Sequence, residues 1–210
     1  MPQYTLIYFN ITGLGEVPRL LFAQAGVEYE DRRIPSPWLE PDVWPKLKKE
    51  TPFQKLPILE IDGKPIAQSQ AIVQYLAREF GLEGKDNLGM AKVYEAYYMS
   101  YDILINDFKQ RYEKNETKKQ EVKENLITAE FPRLLDALKT ILGDNDFLAG
   151  GTVSVADMIA FVAVQRLQGL NWPEVDNLLK AYPTVTALQD RVAKSPNIAA
   201  YLEKRPKTKY

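Results

Sequence analysis

The 210-residue sequence contains no cysteine and no histidine. Without cysteine there is no disulfide framework, no thiol nucleophile and no zinc site built on thiolates. Without histidine the usual general base near neutral pH is missing, and so is the commonest transition-metal ligand. Chemistry in this chain must rest on Tyr, Ser, Lys or carboxylates, or on a bound molecule with its own reactive group. An excess of one charge is lacking too. The 27 basic and 28 acidic residues leave a net −1, so no bulk pull toward nucleic acid or a membrane surface is expected. No apolar run approaches the ~18 residues of a membrane span. Met1-Pro2-Gln3-Tyr4-Thr5 lacks the basic-then-apolar layout of a signal peptide. A soluble cytoplasmic protein is the expectation.

What is present suits one large domain or two small ones, with 45% hydrophobic residues to build a core. Gln3–Phe9 alternates and is rich in aromatic and β-branched residues, a strand pattern. Glu16–Gly26 spaces Val17, Leu20, Leu21 and Ala25 as a helix does, with Gly26 as its stop. Glu28–Ile34 alternates again. Prolines at 35, 37, 41 and 45 make 35–51 an irregular loop with at most a short helix after Pro45. A third strand follows Pro57, a fourth is Pro65-Ile66-Ala67, and Ser69–Phe80 is an amphipathic helix ended by Gly81. The order β-α-β-loop-β-β-α is that of a thioredoxin-like unit.

Gly81–Asn87 reads as a linker, and beyond it no strand pattern persists. Helices are expected over Leu88–Tyr112, Lys119–Leu142, Val155–Gln168, Glu174–Ala181 and Thr184–Lys194. Ser154-Val155-Ala156-Asp157 before an apolar run is a capping box with Asp in the place usually given to Glu or Gln. The charged run at 114–121 is a solvated connection between helices.

One stretch carries a more specific signal. In Leu56-Pro57-Ile58-Leu59-Glu60-Ile61-Asp62-Gly63 a proline opens an apolar strand and Asp-Gly supplies a hairpin turn. Gln68-Ser69 then precedes a helix, and Ser is a favoured N-cap. The first amides of that helix form a ready anion site.

This combination resembles the glutathione-binding half of the glutathione transferases. The rest of the chain extends the likeness to the sigma class: Tyr4-Thr5-Leu6-Ile7-Tyr8-Phe9-Asn10 at the start, Leu76-Ala77-Arg78-Glu79-Phe80-Gly81-Leu82 at the end of the small domain, the capping box, and the tail from Ile198 to Pro206. The resemblance implies an α/β thioredoxin-like N-terminal domain (1–80), a linker (81–87) and an all-α C-terminal helical domain (88–210). It also implies a homodimer that uses glutathione as co-substrate against small hydrophobic electrophiles, with no metal.

It further implies roles. Tyr8 is the catalytic residue, its phenol hydrogen-bonded to the glutathione sulfur. Gln68 and Ser69 hold the γ-glutamyl end, and Leu56 offers its backbone N–H and C=O through a cis bond to Pro57. Trp44 and Lys48 meet the glycyl carboxylate, with Gln54 or Lys55 assisting. Lys46 and Lys49 compete with Lys48 for that part, and Trp38 with Trp44. Asp102 reaches the glutamyl ammonium of the partner subunit's ligand. The electrophile pocket is expected between the domains, with Phe9, Leu14, Leu104, Phe108 and Ile159 as candidates.

Two departures bear on the alternatives. Vertebrate prostaglandin D synthases carry an arginine where this chain has Leu14, which weighs against a prostaglandin-type isomerase. Their metal-binding aspartate pair is here Tyr101-Asp102. A lens-crystallin-like protein or a non-catalytic ligand carrier is the third reading; the short 112–119 connection argues against the crystallin.

Overall fold

The computed structural model describes residues 2–208. The chain divides into two units, one running from the N-terminus to Gly81 and taking in the segment from Ser195 onward, the other spanning Leu82–Lys194.

In the first unit, β1 (Tyr4–Phe9), α1 (Glu16–Ala25) and β2 (Glu30–Ile34) form a βαβ crossover with β1 and β2 parallel. A short helix α2 (Val43–Lys48) follows, then the antiparallel pair β3 (Ile58–Ile61) and β4 (Lys64–Ala67), then α3 (Ser69–Glu79). The sheet order is β2-β1-β3-β4, which makes β1 a central strand. That position explains its sequence: five of its six residues are buried, so alternation gives way to an apolar run. α1 stops at Gly26, whose φ of +66° suits glycine and lets its N–H bond back to the Ala23 carbonyl. Behind the sheet, Phe22 stacks on Tyr29 at 4.1 Å and meets Tyr4 and Phe80 edge-on.

Three local expectations are corrected. β2 begins at Glu30, not Glu28. α2 starts before Pro45, at Val43, because a proline in the first helical turn gives up no intrahelical hydrogen bond. Ser69 is the first helical residue of α3 rather than its cap; Gln68 holds the N-cap position and makes no side-chain capping bond. The tail beyond Ser195 is also a helix, α10 (Pro196–Lys204), and it packs on α1 through the buried Ile198 and a bond from Asn197 Nδ2 to the Gln24 carbonyl (3.1 Å). It therefore groups with the first unit, although 88–210 reads from the sequence as one helical stretch.

The second unit is built on α7 (Val155–Gln168), which packs against α4 (Asn87–Tyr112) and α9 (Pro183–Lys194). Val155 to Val164 is buried without interruption. An apolar helix with no polar stripe belongs at the centre of a bundle, and α7 occupies that place. α5 (Glu116–Asn125), α6 (Phe131–Leu142) and α8 (Pro173–Lys180) complete the unit. The single helix expected over Lys119–Leu142 is instead α5 and α6 joined by a wider π turn at Leu126–Glu130. Pro132 is the physical reason: it has no N–H to continue the i→i−4 ladder, so the backbone widens before it.

The Ser154–Asp157 capping box forms at the start of α7. Asp157 Oδ2 accepts from the Ser154 N–H (2.8 Å) and hydroxyl (2.7 Å), and Oδ1 accepts from the Leu148 N–H (2.7 Å). No helix among the described residues is long and apolar enough to cross a membrane.

Candidate active site

The sheet register brings three separate pieces of sequence to one end. Ile7 pairs with Ile58, and Ile58 with Ala67. Continuing each antiparallel ladder by one residue sets Tyr8 against Pro57, and Pro57 against Gln68. Tyr8, the Leu56–Pro57 bond and the start of α3 thus share one edge of the sheet. The Leu56–Pro57 peptide is cis.

Backbone strain gathers at the same edge. Phe53 and Gln54 each have a φ of +53°, and Gln68 has φ +78° with ψ +114°. For residues with a Cβ these are costly conformations, of a kind that clusters at ligand clamps. Gln68 gives α3 no side-chain cap, and the amides of a first helical turn lack intrahelical acceptors. Ser69 is buried beside them.

Tyr8 itself is buried, and its hydroxyl oxygen accepts a hydrogen bond from the Leu14 N–H (3.1 Å). An acceptor role for the oxygen polarises the phenol and strengthens its own O–H as a donor. A 3₁₀ turn, Gly13–Gly15, wraps the ring closely. A Cβ on Gly15 would lie 2.5 Å from Tyr8 Cδ1, and one on Gly13 would lie 2.6 Å from the hydroxyl oxygen. These glycines carry no signal in the sequence beyond a Gly-Leu-Gly run, and their purpose appears only when the ring is in place. Gly15→Ala is expected to push the ring from its seat and to lower turnover about tenfold or more, since small misplacements of a reacting group cost that much. Steady-state kinetics beside a melting curve check it; full activity at unchanged Tm would mean that the ring tolerates the shift.

Beneath Tyr8 lies a cluster of charge. The Arg19 guanidinium sits 5.9 Å from the centre of the Tyr8 ring and is fully buried. It donates to the carbonyls of Ile11 (2.7 Å) and Phe9 (3.4 Å) and to Asp31 (3.1 Å) and Glu16 (3.4 Å). Arg33 joins from β2, bonding Asp31 (2.7 Å) and Asn10 Oδ1 (3.2 Å). Tyr201 on α10 donates to Glu16 (3.1 Å), and Arg205, just after that helix, pairs with the same carboxylate. Burial alone would lower the Arg19 pKa, but Asp31 and then Glu16 hold it raised, so the group keeps its charge. A charged residue inside the apolar pattern Val17-Leu20-Leu21 was the only sequence signal for this cluster.

The remaining candidates fall as follows. Trp44 on α2 packs edge-on against Phe9 (5.3 Å), next to Tyr8, while Trp38 is half exposed in the loop before α2. Lys48, Lys46 and Lys49 are exposed at the end of α2, and Gln54 and Lys55 are exposed in the turn before Leu56. Leu56 packs on the cluster of Ile7, Ile34 and Ile58 with Phe9. In the second unit Leu104 and Ile159 are buried, and Phe108 and Asp102 are half-buried on α4. Among the described residues no three Asp, Glu, His or Cys side chains converge as a metal site would require.

Comparison with known proteins agrees along the whole chain. Residues 4–78 match the N-terminal domain of glutathione S-transferase, and residues 102–205 match the C-terminal domain. Hematopoietic prostaglandin D synthase of Gallus gallus is 42% identical over 99% of both chains. S-crystallin 4 of Enteroctopus dofleini is 37% identical over 100% of both. The structure of rat hPGDS complexed with a quinoline superimposes with a TM-score of 0.87 at 34% identity, again over 100% of both chains. A thioredoxin-like sheet with a cis-proline edge, an all-helical second unit and these relatives lead to one conclusion: the chain belongs to the glutathione S-transferase family.

Proposed function

We propose that the protein conjugates glutathione to small hydrophobic electrophiles, and that Tyr8 stabilises the attacking thiolate. The observation that carries this reading is the Tyr8 hydroxyl, seated by the Leu14 amide at the sheet edge shared by Pro57 and Gln68. A free thiol with a pKa near 8.5 is only a few per cent ionised at neutral pH, and the thiolate is the nucleophile. A donor that lowered that pKa by two units would favour the thiolate by roughly 2.7 kcal/mol. One preorganised hydrogen bond in a site sheltered from water supplies an effect of that size.

The other residues bind the tripeptide. Leu56 presents its backbone like a neighbouring strand, with Pro57 turning it outward. Gln68 and Ser69 take the γ-glutamyl carboxylate at the N-terminus of α3, where hydroxyl, amides and helix dipole act together. Trp44 and Lys48, helped by Gln54 or Lys55, take the glycyl carboxylate; the packing of Trp44 on Phe9 favours it over Trp38. Asp102 completes the site of the partner subunit in a homodimer, and Phe9 and Leu14, beside Tyr8, meet the electrophile. The sigma class, a cytoplasmic location and a detoxifying role belong to the same proposal.

Conjugation is preferred over prostaglandin isomerisation because the residue bonded to Tyr8 through its backbone is Leu14, with an apolar side chain. It is preferred over a lens-protein role because only residues 113–115 separate α4 from α5. The test is glutathione affinity by calorimetry together with conjugation to a generic aryl halide. Binding with turnover supports the proposal. Binding without turnover across a panel of aryl halides and enals favours a carrier, and no binding of glutathione at all overturns it.

A further inference from the structure

The cluster beneath Tyr8 reaches from the N-terminal strand to the far end of the chain. Asn10 and the carbonyls of Phe9 and Ile11, directly after Tyr8, are held by Arg33 and Arg19. These arginines meet on Asp31, and Arg19 also bonds Glu16. Glu16 is 1% exposed, and its other oxygen is taken by Tyr201 and Arg205 of α10 and the segment after it. The loop that seats Tyr8 is thus tied to the C-terminal segment through one buried carboxylate.

We propose that Arg205 is a positioning residue for Tyr8, acting through Glu16 and Arg19 to keep the site electrically biased toward the thiolate. This rests on the reading of Tyr8 as the thiolate-stabilising donor. Arg19, Arg33 and Arg205 face Glu16 and Asp31, so the cluster carries one net positive charge behind the Tyr8 ring. Tyr29 and Tyr201, the other titratable groups packed on it, have their phenols pushed up by burial and stay neutral through the working pH range. A positive charge in a poorly solvated place favours a negative charge forming nearby, and removing it penalises that charge. Loss of Arg205 acts a second way. Glu16, no longer balanced, draws Arg19 toward itself and away from the carbonyls that fix the Tyr8 loop.

The test compares Arg205→Met, Arg205→Lys and Tyr8→Phe with the wild type. The readouts are the pKa of bound glutathione, from thiolate absorbance in the ultraviolet, and Tm. In Arg205→Met the bound thiol pKa is expected to rise by about half to one unit, giving about two- to fivefold lower kcat/KM at pH 6.5 and near-equal rates at high pH. Arg205→Lys restores most of the shift, because the charge returns. Should Arg205→Met fail to fold, Arg205→Gln keeps a donor toward Glu16 without the charge and carries the same comparison. A lower Tm with an unmoved thiol pKa overturns the proposal, since that is the mark of a purely structural tie. If the thiol pKa rises in Tyr8→Phe but not in the Arg205 variants, only the link through Glu16 falls. If it rises in neither, the role of Tyr8 falls as well.

Discussion

Tyr8→Phe is expected to lower kcat/KM for aryl halide conjugation about 25-fold at pH 7, while glutathione affinity changes less than about threefold. The substitution removes one oxygen, and with it the acceptor of the Leu14 N–H, at a cost to stability of about 1 kcal/mol, while the ring keeps its place between Gly13 and Gly15. What is lost is the donor proposed to favour thiolate over thiol. If that donor is worth about two pKa units, the ionised fraction at pH 7 falls from about three-quarters to about 3%, roughly 25-fold. The loss should shrink as pH rises, because above the free thiol's pKa glutathione ionises without help. Affinity survives because, in the proposed binding mode, the tripeptide is held by Leu56, Gln68, Ser69, Trp44 and Lys48, away from the sulfur. A pH–rate profile and a binding isotherm on both proteins decide the matter. Equal activity of wild type and variant near pH 7 would remove Tyr8 from the chemistry.

Asp157→Ala should be the most destabilising single change, costing about 3–5 kcal/mol and lowering Tm by about 10–15 °C. The carboxylate accepts from the Leu148 and Ser154 amides and the Ser154 hydroxyl, and it is fully buried. Alanine would leave these donors facing a cavity at the start of the central helix α7. Burial raises the Asp157 pKa above its ordinary value, against the pull of those same donors. The native state therefore takes up this proton before the unfolded chain does. The contribution of this group to stability falls as pH rises through that window, opposite to an ordinary paired carboxylate. Thermal melts of wild type and variant across that range check both the size and the sign; a drop of only a degree or two would mean that water replaces the carboxylate.

Much of this was legible because local patterns and burial agree. The bounds of α7 follow from its capping box and its apolar run, and the β-α-β-β-α order follows from alternation and Gly-Pro punctuation. Tyr8, Pro57 and Gln68 could be named from their motifs. What the motifs could not contain is contact. Gly15 matters only because a ring rests on it, and Arg19 only because Asp31 and Glu16 close around it. The π turn before Pro132 and the start of α2 before Pro45 both turn on where a missing N–H is tolerated, which depends on position within a helix rather than on residue type. α10 was overlooked because its nine residues are short and begin with proline, and its one fully buried side chain, Ile198, gives no periodic signal.

That last helix has a consequence for the order in which the protein is made. The first unit is discontinuous: its sheet is encoded by the opening residues, but the arginine that balances Glu16 lies more than 180 positions downstream (|i−j| = 189). During synthesis the sheet emerges first and the helical unit follows, while Glu16 has Arg19 beside it but gains Arg205 only after that unit and α10 have been made. The seat proposed for Tyr8 is thus completed by a segment made after the whole helical unit. A chain truncated before α10 would keep every residue proposed for glutathione and still lack the Arg205 charge proposed to position Tyr8.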